Sequence, residues 1–419
     1  MGTTDSVRHR KVFYIPGYDP VHARRYRELY RREGAEQARI SGYELQMLPR
    51  AAGNGPFGWT ALGGIEGGQV RVDVDVLEWS DIVKGSMEQT VANTYLQLAQ
   101  AVWAYVGSGI LFRLMKLRKG PVIAALYPVG VLLGQLLAVV LTIWALNFAG
   151  RWIGGAISGT GTGNGMFAGG LIGLIAGYYA AAALFRWFRK IDNRLMAYYL
   201  MHDYAFSARY GGANPPALEN RMASFADRIA ASLVEPGIDE VLVVGHSSGA
   251  HIGVSVLADL LRDGRIPDHG AELGFLTLGQ VVPMVSFLPK ADRLRRDLAD
   301  LSATDRLTWI DVSAPGDGCA FALCDPVSVT GVAPEGKRWP LVISCAFTQT
   351  LSPERWNELK HRFFRLHFQY LCAFDRPGDY DYFRITAGPL TLAERFAGRP
   401  PSQSRIETPV SPHTSQAAP

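Results

Sequence analysis

Charge is scarce in this chain of 419 residues: Asp, Glu, Lys and Arg make up 19% of it, against about a quarter in an ordinary soluble domain. The shortage is local. Gly120 to Phe185 holds 66 residues, a single formal charge (Arg151) and 14 of the 45 glycines. The other 353 residues carry 79 of the 80 charged side chains, about 22%, close to the soluble norm. That distribution excludes a purely soluble protein and a polytopic membrane protein alike. It describes a soluble-type chain with one membrane block set into it.

Cysteine is also sparse. Cys319, Cys324, Cys345 and Cys372 fit neither a disulfide framework nor a zinc-site spacing, so buried thiols in a reducing compartment are expected. There is no H-x-x-x-H pattern and no G-x-x-x-x-G-K-[ST] loop, so no metal and no cofactor are expected. Net charge is only +4, without an aromatic-interleaved basic stripe, which argues against nucleic acid as a partner. No signal peptide is expected ahead of the strand-like run Lys11 to Ile15.

Pro121 to Phe148 runs 28 residues without a charge, more than the roughly 20 that a helix needs to cross a bilayer. Met166 to Phe188 is the second candidate span, and the glycine-rich stretch Gly150 to Gly165 reads as a flexible turn between them. Arg113, Lys116, Arg118 and Lys119 precede the first span, and Arg186, Arg189, Lys190 and Arg194 follow the second. Only Arg151 lies in the turn. This asymmetry predicts two spans with the N- and C-terminal parts cytoplasmic, as in a bacterial inner-membrane protein. Gly165, Gly169, Gly173 and Gly177 recur every four residues, which aligns them on one helix face for close approach by another helix. The partner is either the first span or, in a homodimer, a second chain. Gln135 and Asn147 are placed to bond across helices, and no ionisable residue lies deep in either span, which counts against a transporter. Upstream, Ser86-Met87-Glu88-Gln89 has the form of a capping box opening a helix. The apolar stretch Ala101 to Phe112 is too short to span and suits an interfacial or buried helix.

With residues 120–188 set aside as a hairpin, residues 10–119 and 189–397 alternate strands and helices. Strands are expected at Lys11–Ile15, Val70–Trp79, Glu240–Val244, Gly274–Val281, Leu307–Val312 and Leu341–Cys345. Helices are expected at His22–Arg39, Leu218–Val234, Ala250–Leu261, Asp292–Leu301 and Glu354–Phe363. This is the pattern of an α/β fold with a mostly parallel sheet covered on both faces. Residues 398–419, rich in Pro, Ser, Gln and Thr, read as a disordered tail.

The strand Val241 to Val244 runs into Gly245-His246-Ser247-Ser248-Gly249 and straight on into an apolar helix. This is G-x-S-x-G in strand–turn–helix context. Such a turn strains the serine's backbone, and the glycines remove the Cβ atoms that would clash. Ser247 Oγ is then presented at the sheet's carboxyl edge, and the Ser248 amide at the helix start is placed to donate to an oxyanion. The alternative is an ordinary glycine-rich strand–helix turn.

On these residues the chain resembles the α/β-hydrolase superfamily, in particular its lipase and esterase branches, over roughly residues 10–100 and 190–395. The resemblance implies a serine hydrolase with chain order Ser, acid, His. Ile15-Pro16-Gly17-Tyr18-Asp19 falls where that family supplies the second oxyanion donor, so the Tyr18 amide is the candidate. Asp317, in the tight loop after the strand ending at Val312, is the first candidate acid. Asp325 is the second, and Asp311 sits inside the strand. His367, set among aromatics in F-F-R-L-H-F-Q-Y, is the first candidate base. His361, on a charged helix, is the second, and His413 lies in the tail. The hairpin, between the strand ending at Trp79 and the nucleophile strand, departs from the family pattern. It suggests a site mouth close to the bilayer and an acyl-lipid or other membrane-partitioned ester as substrate. The competing readings are an inactive scaffold or assembly factor on the same fold, and a small channel with a regulatory domain.

Overall fold

The computed structural model describes residues 6–50, 55–87, 90–158 and 163–417. Eight strands form one sheet: β1 (His9–Ile15), β2 (Glu44–Leu48), β3 (Gly58–Ile65), β4 (Gly68–Val76), β5 (Glu240–His246), β6 (Glu272–Leu278), β7 (Thr308–Ser313) and β8 (Leu341–Ser344). Their spatial order is β2-β3-β4-β1-β5-β6-β7-β8. The run β4-β1-β5-β6-β7-β8 is parallel, and β2 and β3 extend it as an antiparallel edge. Among the described residues there are seventeen α-helices. The fold is thus α/β with a mostly parallel sheet. All seven residues of β5 are buried, as expected of a parallel strand covered on both faces, whose sequence reads as a continuous apolar run.

Chain direction sets where a ligand can bind. From β1 the chain goes to one side of the sheet, building β2, β3 and β4. After β4 it returns to the other side as β5 and continues outwards to β8. Strand order therefore reverses between β1 and β5, and in open α/β sheets the crevice beyond the carboxyl ends of the strands at such a point is where ligands lie. Ile15-Pro16-Gly17 and Gly245 to Gly249 both leave the sheet there.

A buried ion pair locks the opposite end of these two strands. Arg10 and Glu240, paired in register, are both fully buried and bonded side chain to side chain. Arg10 also donates to the carbonyls of Gly388 (2.8 Å) and Leu390 (2.6 Å), and Glu240 accepts from the Leu392 amide at 2.6 Å. Each side-chain nitrogen of Arg10 and each carboxylate oxygen of Glu240 thus has a partner, which is what makes a buried pair tolerable.

The chain divides into two compact units, residues Met1–Ser86, Trp103–Val122 and Ser207–Pro419 in the first, Met87–Val102 and Ile123–Phe206 in the second. The second reaches further along the chain than the expected 120–188 hairpin. It recruits helix Val91–Val102 and most of helix Ala197–Arg209 because polar side chains there bond to each other and to the long helices. His202 Nδ1 meets Gln97 Oε1 at 2.8 Å, Tyr95 Oη donates to the Leu132 carbonyl at 2.9 Å, and Tyr198 Oη to Gln135 at 3.2 Å.

Two helices, Lys119–Ile157 and Gly163–Leu195, are long and apolar enough to cross a membrane. The first continues through Gly150 to Ile157, so most of the expected flexible turn is helical and residues 159–162 lie outside the described part. Close packing of the two helices accounts for this. A Cβ on Gly169 would stand 2.1 Å from the Gly150 carbonyl oxygen, and one on Gly154 would stand 2.1 Å from that of Gly165. Gly165, Gly169, Gly173 and Gly177 all face the first helix. The strip is therefore filled by the hairpin partner, the first of the two alternatives the spacing left open. Asn147 crosses to the Gly170 carbonyl at 2.9 Å.

Three further expectations need correction. Ser86 closes helix Ser80–Met87, donating to the Val83 carbonyl at 2.7 Å. The next helix is opened by Thr90, whose hydroxyl accepts from the Asn93 amide; Glu88 and Gln89 lie outside the described residues. The stretch from Ala101 is broken by Gly109, with φ of 73°. In helix Ile110–Leu117, Ile110, Leu111, Leu114 and Leu117 are buried and Phe112 and Met115 exposed. The tail is laid along the first unit rather than disordered: Ile406 pairs with Cys324, and Ser402 and Val410 donate to the Val342 and Val329 carbonyls. Arg295, fully buried, takes the Ser415 carbonyl as an acceptor at 2.6 Å. Low apolar content does not loosen this segment because its backbone groups are paired to the domain.

Replacing Glu240 by Leu leaves the Arg10 guanidinium buried without its carboxylate. The unfolding free energy of the detergent-solubilised chain is expected to fall by about 3–5 kcal/mol, read from the denaturant midpoint at unchanged slope. A loss below about 1 kcal/mol would contradict the role given to this pair.

Candidate active site

Ser247 has φ of 56°, the left-handed region, although it is not glycine. A residue with a Cβ pays about 1 kcal/mol or more there and stays only where its surroundings hold it. They do. The Ser247 amide donates to the Leu278 carbonyl at 2.9 Å, and its carbonyl accepts from Ala250 at 3.1 Å. Helix Gly249–Arg262 begins immediately after, with Ser248 at its cap position, where first-turn amides lack helical partners. A Cβ on Gly249 would lie 2.1 Å from the Ile15 carbonyl oxygen, and one on Gly17 would lie 3.0 Å from Ser247 Cβ. The two turns touch backbone to backbone.

The Gly17 turn is held from behind. Trp79 Nε1 donates to the Pro16 carbonyl at 2.9 Å. The buried Tyr18 ring stands edge-on to Trp79, and its hydroxyl bonds to Ser86 Oγ at 2.5 Å. The Tyr18 and Ser248 amides are thus on the two turns that flank Ser247, the places the sequence assigns to an oxyanion site.

Asp317 and His367, 50 residues apart, meet in the structure. His367 Nδ1 lies 2.7 Å from Asp317 Oδ2, with both residues buried. The same oxygen accepts from Tyr370 Oη at 2.9 Å, and Oδ1 accepts from the Cys319 amide at 2.9 Å. Burial pushes the Asp317 carboxyl up, but the His367 imidazole and these donors outweigh it, and its pKa lies below the ordinary value. A carboxylate so held stays ionised and orients an imidazole. Tyr370 Oη also accepts from the Ala314 amide at 3.1 Å, which ties the acid loop to the segment that carries the histidine.

The other candidates are elsewhere. Asp325 caps helix Pro326–Thr330, accepting from the Val327 and Ser328 amides, and pairs with Lys337 at 2.7 Å. Asp311 is fully buried in β7, where burial raises its pKa to about 7 and Thr277 donates to it at 2.6 Å. His361 is exposed.

His246 joins the two halves of the site. Its Nε2 lies 2.9 Å from the His367 carbonyl oxygen, and its ring is 4.9 Å from the His367 ring. That acceptor requires a proton on Nε2, and burial keeps the ring neutral, which leaves Nδ1 bare. Burial, then the neighbouring His367, lowers its pKa to about 3. Ser247 Oγ makes no hydrogen bond to His367 in this structure; it faces the Gly17 turn.

Tyr370 and Cys319 were not assigned from the sequence. Tyr370 lies three residues after His367, and that spacing was the available signal. Among the described residues one group offers a metal-ligand set: Asp317, Cys319 and His367 each present a ligand atom, all within 4.8 Å of one another. The sequence-based expectation of no metal rested on spacing, which does not register a histidine 48 residues from the cysteine.

His251, buried on the elbow helix, is held by burial at a pKa of about 4. The unfolded chain, near 6.5, binds the extra proton first as pH falls, so stability drops between about pH 6.5 and 4. His251→Leu is expected to flatten that slope by up to about 1.4 kcal/mol per pH unit, measured as unfolding free energy against pH. An unchanged slope would contradict it.

No protein-family model, curated protein or solved structure matches this chain, and the geometry around Ser247 is what a functional reading of it stands on.

Proposed function

We propose that the chain is a membrane-anchored serine hydrolase of the α/β-hydrolase type, lipase- or esterase-like, acting through an acyl-serine intermediate. The observation that carries this is the strained Ser247 at the carboxyl end of β5, beside a buried His367–Asp317 pair reached through His246. Ser, acid and His follow in the order that the resemblance requires.

In this mechanism Ser247 Oγ attacks the ester carbonyl while His367 Nε2 takes its proton. Asp317, bonded to Nδ1, stabilises the imidazolium that forms. The Ser248 and Tyr18 amides hold the oxyanion. His367 then returns the proton to the leaving alcohol, and water releases the acyl group by the reverse path. The step requires Ser247 Oγ to turn from the Gly17 side towards His367 on substrate binding; in ligand-free enzymes such bonds often tighten only in the complex.

The substrate in this reading is an acyl lipid or another ester that partitions into the bilayer, met at the cytoplasmic leaflet. Two apolar helices interrupt the fold between β4 and β5. Segment Trp103–Val122 of the first unit exposes Trp103, Phe112 and Met115 next to Arg113 and Lys116, the composition of an interfacial helix. Its Arg118 donates to the Ala322 carbonyl at 2.6 Å, five residues past Asp317.

The second reading is an inactive scaffold on the same fold. The unmade Ser247–His367 hydrogen bond favours it.

A fluorophosphonate probe separates the two: the full chain is expected to label, and Ser247→Ala to label at background. An unlabelled folded wild type would favour the scaffold. For the substrate, hydrolysis of phospholipid vesicles is expected to exceed that of short soluble esters by at least about tenfold in kcat/KM, a transition-state difference of about 1.4 kcal/mol. Turnover of soluble esters with none on vesicles would rule out the lipid reading.

A further inference from the structure

Beside the acid–base pair stands a thiol that the hydrolytic reading does not use. Cys319 follows Asp317 by two residues, and its amide donates to Asp317 Oδ1. Its Sγ, a carboxylate oxygen of Asp317 and a ring nitrogen of His367 all lie within 4.8 Å of one another. Asp317 and His367 are buried, and Cys319 is partly exposed, so an ion can arrive from solvent on the cysteine side.

The chemistry of the set is selective. Thiolate, imidazole and carboxylate together suit Zn2+, whereas Mg2+ and Ca2+ take oxygen ligands. Zinc bond lengths of about 2.0–2.3 Å require the Cys319 thiol to draw in and the His367–Asp317 pair, now 2.7 Å apart, to open around the ion, and the fourth, tetrahedral position is left for water.

We propose that Asp317, Cys319 and His367 form an inhibitory zinc site that switches the hydrolase off. Binding deprotonates the Cys319 thiol, and the proton goes to solvent. His367 coordinates through Nδ1, the nitrogen on the Asp317 side, in place of its hydrogen bond to the carboxylate. A neutral imidazole bound through Nδ1 carries its proton on Nε2. Nε2 then has a proton to donate and no lone pair to accept one from Ser247, so zinc blocks the general base without reaching the nucleophile. Binding itself stands on the three side chains alone; the inhibitory effect rests on the hydrolase reading.

The test uses the full chain in detergent micelles. Titration with Co2+ is expected to give a thiolate-to-cobalt charge-transfer band at one ion per chain, displaced by Zn2+. The band should be lost in Cys319→Ala and kept in Ser247→Ala. In parallel, fluorophosphonate labelling of Ser247 is measured with zinc and after removal of zinc by a chelator. Zinc is expected to slow wild-type labelling at least tenfold, reversibly, with no effect from Mg2+ or Ca2+. Cys319→Ala, compared with its own zinc-free rate, should need at least tenfold more zinc for the same slowing. A cobalt band that persists in Cys319→Ala, or wild-type labelling unslowed by saturating zinc, would overturn the proposal. A wild type that fails to label even without metal would overturn the hydrolase reading instead, while the cobalt band still decides the site.

Discussion

The fold turns on a close approach between two backbone turns. Ile15-Pro16-Gly17 leaves β1 and Gly245 to Gly249 leaves β5, and they meet where a side chain on Gly249 would collide with the Ile15 carbonyl. Only with that side chain absent can Ser247 sit in a left-handed conformation with its hydroxyl beside the neighbouring turn. The rest supports this contact. β1 and β5 are neighbours in register, the buried Arg10–Glu240 pair fastens their far end, and Trp79 grips Pro16 from behind. Local strain at the serine is sustained because the sheet and the helix over-determine its position.

The same economy of position governs Asp317. A fully buried carboxylate is unfavourable unless its lone pairs are filled. Here the Cys319 amide, the Tyr370 hydroxyl and the His367 ring fill them. Burial and compensation together yield a carboxylate that orients an imidazole, and they place a thiol within reach of both. In the proposed mechanism the same arrangement of charge would serve proton transfer, and in the proposed zinc site it would give a metal the means to stop it. His246 adds a second constraint, a neutral ring bonded to the His367 backbone, so that strand β5 positions both the serine and the segment carrying His367.

How much of this was legible depended on whether the signal was local. The elbow was readable because a buried strand, a glycine-flanked serine and an apolar helix follow one another without a break. The parallel strands announced themselves as short apolar runs alternating with helices. By contrast β2 and β3 went unread: Gly58, Gly63 and Gly64 break the alternation of β3, and the reason for Gly63, whose Cβ would strike the Ala387 carbonyl, lies more than 300 residues away. Residues 398–419 look disordered by composition, yet Ser402, Val410 and Ser415 among them satisfy carbonyls and a buried arginine of the domain. Asp317 and His367, chosen by the chain order that the resemblance implies, do meet in the structure. Tyr370 and Cys319 were not legible, since what they do depends on contacts that no sequence spacing encodes.

Two helices apolar enough to cross a bilayer interrupt this α/β frame, and their glycine strip is filled by the hairpin itself. The reading of the chain as an enzyme stands or falls on covalent chemistry at Ser247. The most direct measurement is acid quench within the first turnovers on an activated acyl ester, followed by peptide mass mapping. The account predicts one acyl group per chain on the peptide that carries Ser247, and none, with no burst of product, in Ser247→Ala. Turnover that survives in Ser247→Ala, or an acyl group found on another residue, would contradict it.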